Sequence, residues 1–255
     1  MFRLLLFAIF AFFFYLIFWW EGSFEGFKDG GSNVRILSGV EMRELICVRG
    51  SIDDYYDSFS ALDLRARGVS SLSEYLKRIE SSCILRKHDL DNAESTIREC
   101  VKQVDWEKVI RNSSWIDMGR LCALPWKIGL TSGKTYEYGL PHSRGDVIII
   151  PVSHCGKGKE DELLDTLMHE QLHVYQKMYP EDFQKYLDSE GFVRHCKRKD
   201  IQNVAANPDA DEWVYSKDGE IFVGQYSGGG TNYKSVTFKP MNHPRFDCPQ
   251  EYAVY

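Results

Sequence analysis

Thr166-Leu167-Met168-His169-Glu170-Gln171-Leu172-His173-Val174-Tyr175-Gln176 is the stretch that decides how this chain is read. Around it Leu163, Leu164, Leu167, Met168, Leu172, Tyr175 and Met178 recur at helical spacing, and Pro180 lies just past a sensible end. The spacing predicts an amphipathic helix. Side chains four apart on a helix stand one above the other, so His169 and His173 can aim both imidazoles at one point. Glu170 then projects beside that point. Two imidazoles and a carboxylate in the order H-E-x-x-H are what a metal-dependent hydrolase needs: the imidazoles hold the ion, and the carboxylate takes a proton from a water that the ion polarises. One zinc ion is the expected cofactor, with His169 and His173 as ligands and Glu170 as the catalytic base.

Working outward from the helix, the preceding residues read as short strands. Trp126–Leu130 and Thr135–Tyr138 are β-prone runs separated by Thr131-Ser132-Gly133-Lys134, which reads as a hairpin loop. Val147-Ile148-Ile149-Ile150-Pro151-Val152 is a continuous apolar strand that Pro151 should end or place near an edge. Residues from about 40 to 120 read as mainly helical. Leu72–Ile79 carries Leu72, Tyr75, Leu76 and Ile79 at i, i+3, i+4 and i+7, and Asp91–Ile110 opens with Asp91 and Glu94 in capping-box positions. The chain after Pro180 reads as irregular. The fold class expected is α+β: a helical part over 34–125, packed with a small mixed sheet, and a catalytic part over 126–255. Strands leading into an active-site helix resemble the order of the zincin catalytic half, in which an edge strand beside the metal holds an extended peptide by strand addition.

Two histidines leave a catalytic zinc site one protein ligand short. The metzincin spacing is absent, because Gln176 and Tyr179 stand where its glycine and third histidine would be. Downstream, Asp209, Asp211, Glu212 and Glu251 are the candidates. Glu251 follows Pro249 at a probable helix start, which would fix its direction.

Several stretches taken together resemble a known group. Gly139-Leu140-Pro141-His142-Ser143-Arg144-Gly145-Asp146, the isoleucine-rich strand, Thr166–Gln176, Asn207-Pro208-Asp209 and Pro249-Gln250-Glu251 occur in that order. They resemble zinc metallopeptidases of the gluzincin type from large DNA viruses and microbial eukaryotes, over roughly residues 50 to 255. In that group the end of the chain resembles aromatic-Glu-His-Pro-x-Glu-x-x-Ala-Tyr. Here Phe246, Asp247, Cys248, Pro249, Gln250, Glu251, Val254 and Tyr255 stand at the matching positions, with Asp247, Cys248 and Val254 as departures. The resemblance implies a zincin-like fold, a peptide or protein substrate, and Glu251 as third ligand. His142 in its loop reads as a surface or hydrogen-bonding residue outside the site.

Composition bounds the rest. A net charge of −6 and a pI near 5.7, with no basic block, remove the electrostatic basis for binding nucleic acid. From Leu4 to Trp20 no charge interrupts an apolar run that ends in Trp19-Trp20, long enough for a minimal membrane span with an interfacial aromatic end. No small-x-small cleavage site follows, so residues 1–20 read as an uncleaved transmembrane signal-anchor rather than a removed leader, which would instead give a secreted protein. Arg3 before the span and Glu21, Glu25 and Asp29 after it place the remainder in the lumen or outside the cell. Residues 21–33 read as a Gly- and Ser-rich tether. Seven cysteines without a C-x-x-C pair argue against a thiolate metal cluster, and Asn112-Ser113-Ser114 is a glycosylation sequon. Two functions remain: a membrane-anchored zinc peptidase, or a non-enzymatic tethered binding module with a structural or vestigial zinc site. The intact Glu170 favours the enzyme, since a structural site has no use for a base.

Overall fold

A computed structural model of the chain describes residues 33–110, 113–227, 236–239 and 248–254. The expected membrane span, most of the tether and Asn112 of the sequon lie outside the described residues. Among the described residues, no helix is long and apolar enough to cross a membrane.

Two four-stranded sheets and a set of helices make a mixed α/β molecule, consistent with the α+β class. The first sheet contains β1 (Val34–Ile36), β2 (Trp126–Thr131), β3 (His142–Arg144) and β4 (Val147–Pro151), in the order β1-β2-β4-β3. β1, β2 and β4 run parallel, while β3 joins β4 antiparallel as an edge. An all-apolar strand such as β4 suits burial on both faces. Ile148 and Ile150 pack into one core and Val147 and Ile149 into the other. The second core is built by α1 (Gly39–Cys47), α2 (Ala61–Ala66) and α3 (Leu72–Ile79), through Met42, Ile46, Tyr75 and Ile79. Gly129 is required where that layer approaches the sheet, because a Cβ there would stand 2.3 Å from the Met42 sulfur. On the other face lie α4 (Lys87–Val101), the short α5 (Trp106–Val109) and α6 (Met118–Ala123), and the long α7 (Glu160–Met178) that carries the motif.

Some local expectations are corrected. The hairpin across Thr131–Lys134 does not form, since β2 pairs in parallel with β1 on one side and β4 on the other. Thr135–Tyr138 instead turns into a single 3-10 turn, Glu137–Gly139, in which Glu137 and Tyr138 adopt φ of 40° and 58°. That strained turn buries the Glu137 carboxylate against Arg67 and the Tyr75 hydroxyl. The helix expected to begin at Asp91 begins at Lys87, because the stripe of Leu90, Ala93, Ile97 and Cys100 extends back beyond Asp91; it stops at Val101, and Asp105 caps the separate α5. Pro151 ends β4, an interior strand, rather than marking an edge.

Among the described residues after Pro180, helix and sheet replace the irregular reading. Pro180 opens α8 (Pro180–Glu190), which Gly191 closes in the left-handed conformation. The second sheet follows, with β5 (Val193–Lys197), β6 (Trp213–Lys217), β7 (Glu220–Tyr226) and β8 (Val236–Lys239), antiparallel throughout. Asp218-Gly219, both at positive φ, makes the two-residue turn between β6 and β7. A one-turn helix, α9 (Pro249–Tyr252), completes the described chain.

Candidate metal centre

The helix α7 holds its motif rigidly because its other faces are anchored. Glu160, Asp161 and Glu162 in the first turn complement the helix dipole, and Leu163, Leu167, Leu172 and Val174 enter the core. Tyr175 donates to Asp182 at 2.6 Å and accepts from the Asp117 amide at 2.8 Å, tying the helix to α6 and α8. On the opposite side His169 and His173 converge, with their Nε2 atoms 3.0 Å apart and their rings nearly perpendicular.

The tautomer of His173 follows from its neighbours. Gln176 donates Nε2–H to the Gln250 carbonyl at 3.1 Å, so its Oε1 faces His173 Nδ1 at 2.9 Å. An amide oxygen only accepts, so Nδ1 carries a proton and Nε2 is the atom turned to the site, available to an ion once its own proton leaves. The same pair of hydrogen bonds links α7 to α9, which carries Glu251. Glu251 Oε2 lies 3.6 Å from His169 Nε2 and 3.7 Å from His173 Nε2. Tetrahedral ligands bound at about 2.0–2.1 Å stand about 3.4 Å from one another. The three donors, at 3.0 to 3.7 Å, fit around one such ion with little adjustment.

The charges around the donors also suit a cation. Burial disfavours charge on His173, yet the carboxylates of Asp209 and Glu251 outweigh it and carry its pKa up to about 10. Burial acts on Glu251 too, but hydrogen bonds from His169 and His173 hold its carboxyl down at about 2. A divalent ion would take the place of the proton these groups share. Glu170 is 4% exposed and its Oε2 has no hydrogen-bond partner among the described residues. Burial and the nearby Asp209 push its pKa well up.

The other acidic candidates are otherwise engaged. Asp209 is near His173 and Glu170 but is taken up by a clamp: its Oδ1 accepts from the Ser143 amide at 2.9 Å, the Ser143 hydroxyl at 2.6 Å and Lys177 at 3.4 Å. Burial alone would raise its pKa, but Lys177 and His173 hold it far below the carboxylate range. Asp211 accepts from the Trp213 amide and the Tyr215 hydroxyl, and Glu212 pairs with Lys197 at the surface.

A cavity of about 840 Å³ opens over the centre, with His169, Glu170, Glu251, His142 and Asp209 in its wall. His142 belongs to this wall rather than to the surface. It is 3% exposed, its Nδ1–H donates to the Leu140 carbonyl at 2.9 Å, and its Nε2 is left without a partner among the described residues. Lys177 reaches from α7 to the Ser143 carbonyl at 3.0 Å, the Ser143 hydroxyl at 2.6 Å and the Pro208 carbonyl at 2.9 Å. Ser143 thus has both outward-facing peptide groups of the short edge strand occupied, so the strand addition expected at this edge is closed at that residue. The stretches that carry the resemblance contain Ser143 and Gln176 but assign no role to them or to Lys177. The available signal was their position, three and four residues beyond His173 on the same helix and at the centre of the edge strand. No protein-family model matches this chain, and neither a curated protein nor a solved structure matches it.

Proposed function

We propose that this protein is a membrane-anchored zinc metallopeptidase with a zincin-like fold of the gluzincin type. One zinc is held by His169, His173 and Glu251, and Glu170 serves as general base. The observation that carries the reading is the convergence of those three donors to 3.0–3.7 Å, with Glu170 Oε2 beside them and without a hydrogen-bond partner among the described residues. Zinc bound there supplies Lewis acidity, which brings the pKa of a water towards about 7 and polarises the scissile carbonyl. Gln176 keeps the His173 lone pair directed at the site. Glu170, in its buried position, takes the proton of the attacking water and delivers it to the departing amine.

The Glu170 oxygen left for a water also favours this reading over a tethered module with a structural metal, where the base would be idle. Residues 1–20 supply the membrane anchor and leave the catalytic part on the lumenal or outer side. The test is metal content and cleavage of a peptide library by the full chain, with Glu170→Gln beside it. The variant is expected to retain one zinc and to lose at least about a hundredfold in hydrolysis. Unchanged hydrolysis would remove Glu170 as base, and a wild type that holds zinc but cuts nothing would favour the binding module.

A further inference from the structure

Across the first sheet from the metal centre, two thiols meet where α1 ends. Cys47 is the last residue of that helix and is half-buried. Cys83 closes the 3-10 turn Glu80–Cys83, which continues α3, and is buried in the second core. The two side chains are in hydrogen-bond contact with each other.

Packing holds the pair together. Gly39 at the start of α1 lies so close to the turn that a Cβ there would stand 3.1 Å from the Cys83 carbonyl oxygen, and Arg43 reaches Glu80 at 3.1 Å. The Ser82 carbonyl accepts from the Ser132 amide at 2.8 Å, which ties the turn to the end of β2 as well. Met42 and Ile46 of α1 and Ile79 of α3 are buried in the same core. Helix and turn are therefore fixed against each other, and the thiols meet without any rearrangement of the loops between them.

The shared proton makes the two sulfurs unequal. Cys83 donates and Cys47 accepts, and this hydrogen bond, with Arg43 one turn back, lowers the Cys47 pKa against the effects of burial and Glu80. The same bond, together with burial, raises Cys83. Burial raises the Cys100, Cys122, Cys155 and Cys196 thiols too, and Cys100 is turned to the Glu160 carbonyl at 3.6 Å. A thiolate is the nucleophile in disulfide exchange. Cys47, the less buried of the pair and next to the exposed Val48, is placed to react first.

We propose that Cys47 and Cys83 form an intramolecular disulfide that pins α1 to the end of α3, made by exchange with a small disulfide such as oxidised glutathione. The Cys47 thiolate attacks one glutathione sulfur, the glutathione S–S bond breaks, and the departing thiolate takes the proton that Cys47 gave up. Cys83 then attacks Cys47 Sγ, and its own proton leaves with the second glutathione. Two protein thiols and one glutathione disulfide thus become one protein disulfide and two glutathione thiols, with two electrons passed to glutathione. The bond closes a loop of about 36 residues that includes α2 and α3, which restricts the unfolded chain and raises stability.

The test is a peptide map of the full-length protein in detergent. The protein is reduced, exposed to graded ratios of oxidised and reduced glutathione, quenched with acid, and alkylated in denaturant. Trypsin cuts after Arg43, Arg49, Arg78 and Arg86, which places the two cysteines in separate peptides, 44–49 and 79–86. In the oxidising buffer these peptides should appear joined, two hydrogens lighter than the pair, and should separate on reduction. Cys83→Ser should stop at a mixed disulfide on Cys47, whereas Cys47→Ser should leave Cys83 open to alkylation. Oxidation should raise the wild-type Tm by at least about 5 °C, and the rise should be absent in both variants. Full alkylation of both cysteines from the oxidising buffer, either peptide joined to a different cysteine, or glutathione carried by Cys83 in preference to Cys47 would overturn the pair. The wild-type map gives the first two of these outcomes without relying on a variant to fold.

Discussion

Gln176 is the residue whose contribution separates most cleanly from that of the motif. It touches neither the cavity nor the expected ion, yet it sets the His173 tautomer and holds the α9 backbone through Gln250. Gln176→Leu should therefore keep the fold and lower zinc affinity by about 10- to 100-fold, read by competition with a chromophoric chelator. The two acids nearest the imidazoles should behave differently. Glu251→Ala removes a donor whose described partners are the imidazoles, and zinc should no longer be retained against the same chelator. Asp209→Ala removes the acceptor of the Ser143 and Lys177 clamp, and should cost stability while leaving zinc stoichiometry intact. Stoichiometric zinc in Glu251→Ala would exclude that residue as a ligand.

Among the elements, the turn after β2 carries a buried charge network of its own. Its Glu137 carboxylate is buried against Arg67, which also stacks on Phe59, and receives the Tyr75 hydroxyl at 2.6 Å. Burial by itself would raise the Glu137 pKa, but Arg67 and the hydrogen bonds from Arg67 and Tyr75 leave it below the usual carboxylate value. A carboxyl depressed in the folded state contributes stability above its unfolded pKa of about 4.3 and loses it as pH falls through the folded value. Glu137→Gln leaves the buried Arg67 with Asp63, 3.8 Å away, as its remaining counter-charge, so denaturant unfolding at pH 7 should show a loss of up to about 3 kcal/mol. The gap between variant and wild type should narrow on acidification below about pH 4.

This turn also shows where reading the sequence stopped. The α7 helix, the Leu72–Ile79 helix and the Val147–Pro151 strand were legible because each carries its own periodicity or an unbroken apolar run. Thr135–Tyr138 has β-prone residues, and only the distant Arg67 and Tyr75 decide that it coils. The second sheet was missed although Lys217-Asp218-Gly219-Glu220 carries an Asp-Gly turn signal, because its short strands mix polar and apolar residues on a partly open surface. At the site, His169, Glu170 and His173 were legible from spacing alone. Glu251 was a choice among acids until the fold placed its carboxylate against both rings, and His142 was set aside because a loop histidine shows nothing of its burial.

At the scale of the whole molecule, a metal held by His169, His173 and Glu251 would join two helices that are far apart in sequence. Ligation by the native state alone shifts the unfolding equilibrium, so stripping zinc with a chelator should lower Tm by several degrees and adding zinc back should restore it. In Glu251→Ala the two traces should coincide. The proposed anchor has its own test: the full chain should stay with membranes through carbonate extraction, and a mature amino terminus after Trp20 would show a cleaved leader instead.

The covering of Ser143 has a further meaning for how copies of this protein meet one another. An exposed strand edge invites pairing with a neighbouring chain and, in time, aggregation. The first sheet ends in two strands of three residues each, and at β3 the outward amide and carbonyl of Ser143 are occupied by Asp209 and Lys177. Two oppositely charged side chains thus act as a guard on the sheet, one answering the free N–H and the other the free C=O. Their loss should be felt first in the solubility of the protein rather than in its metal content.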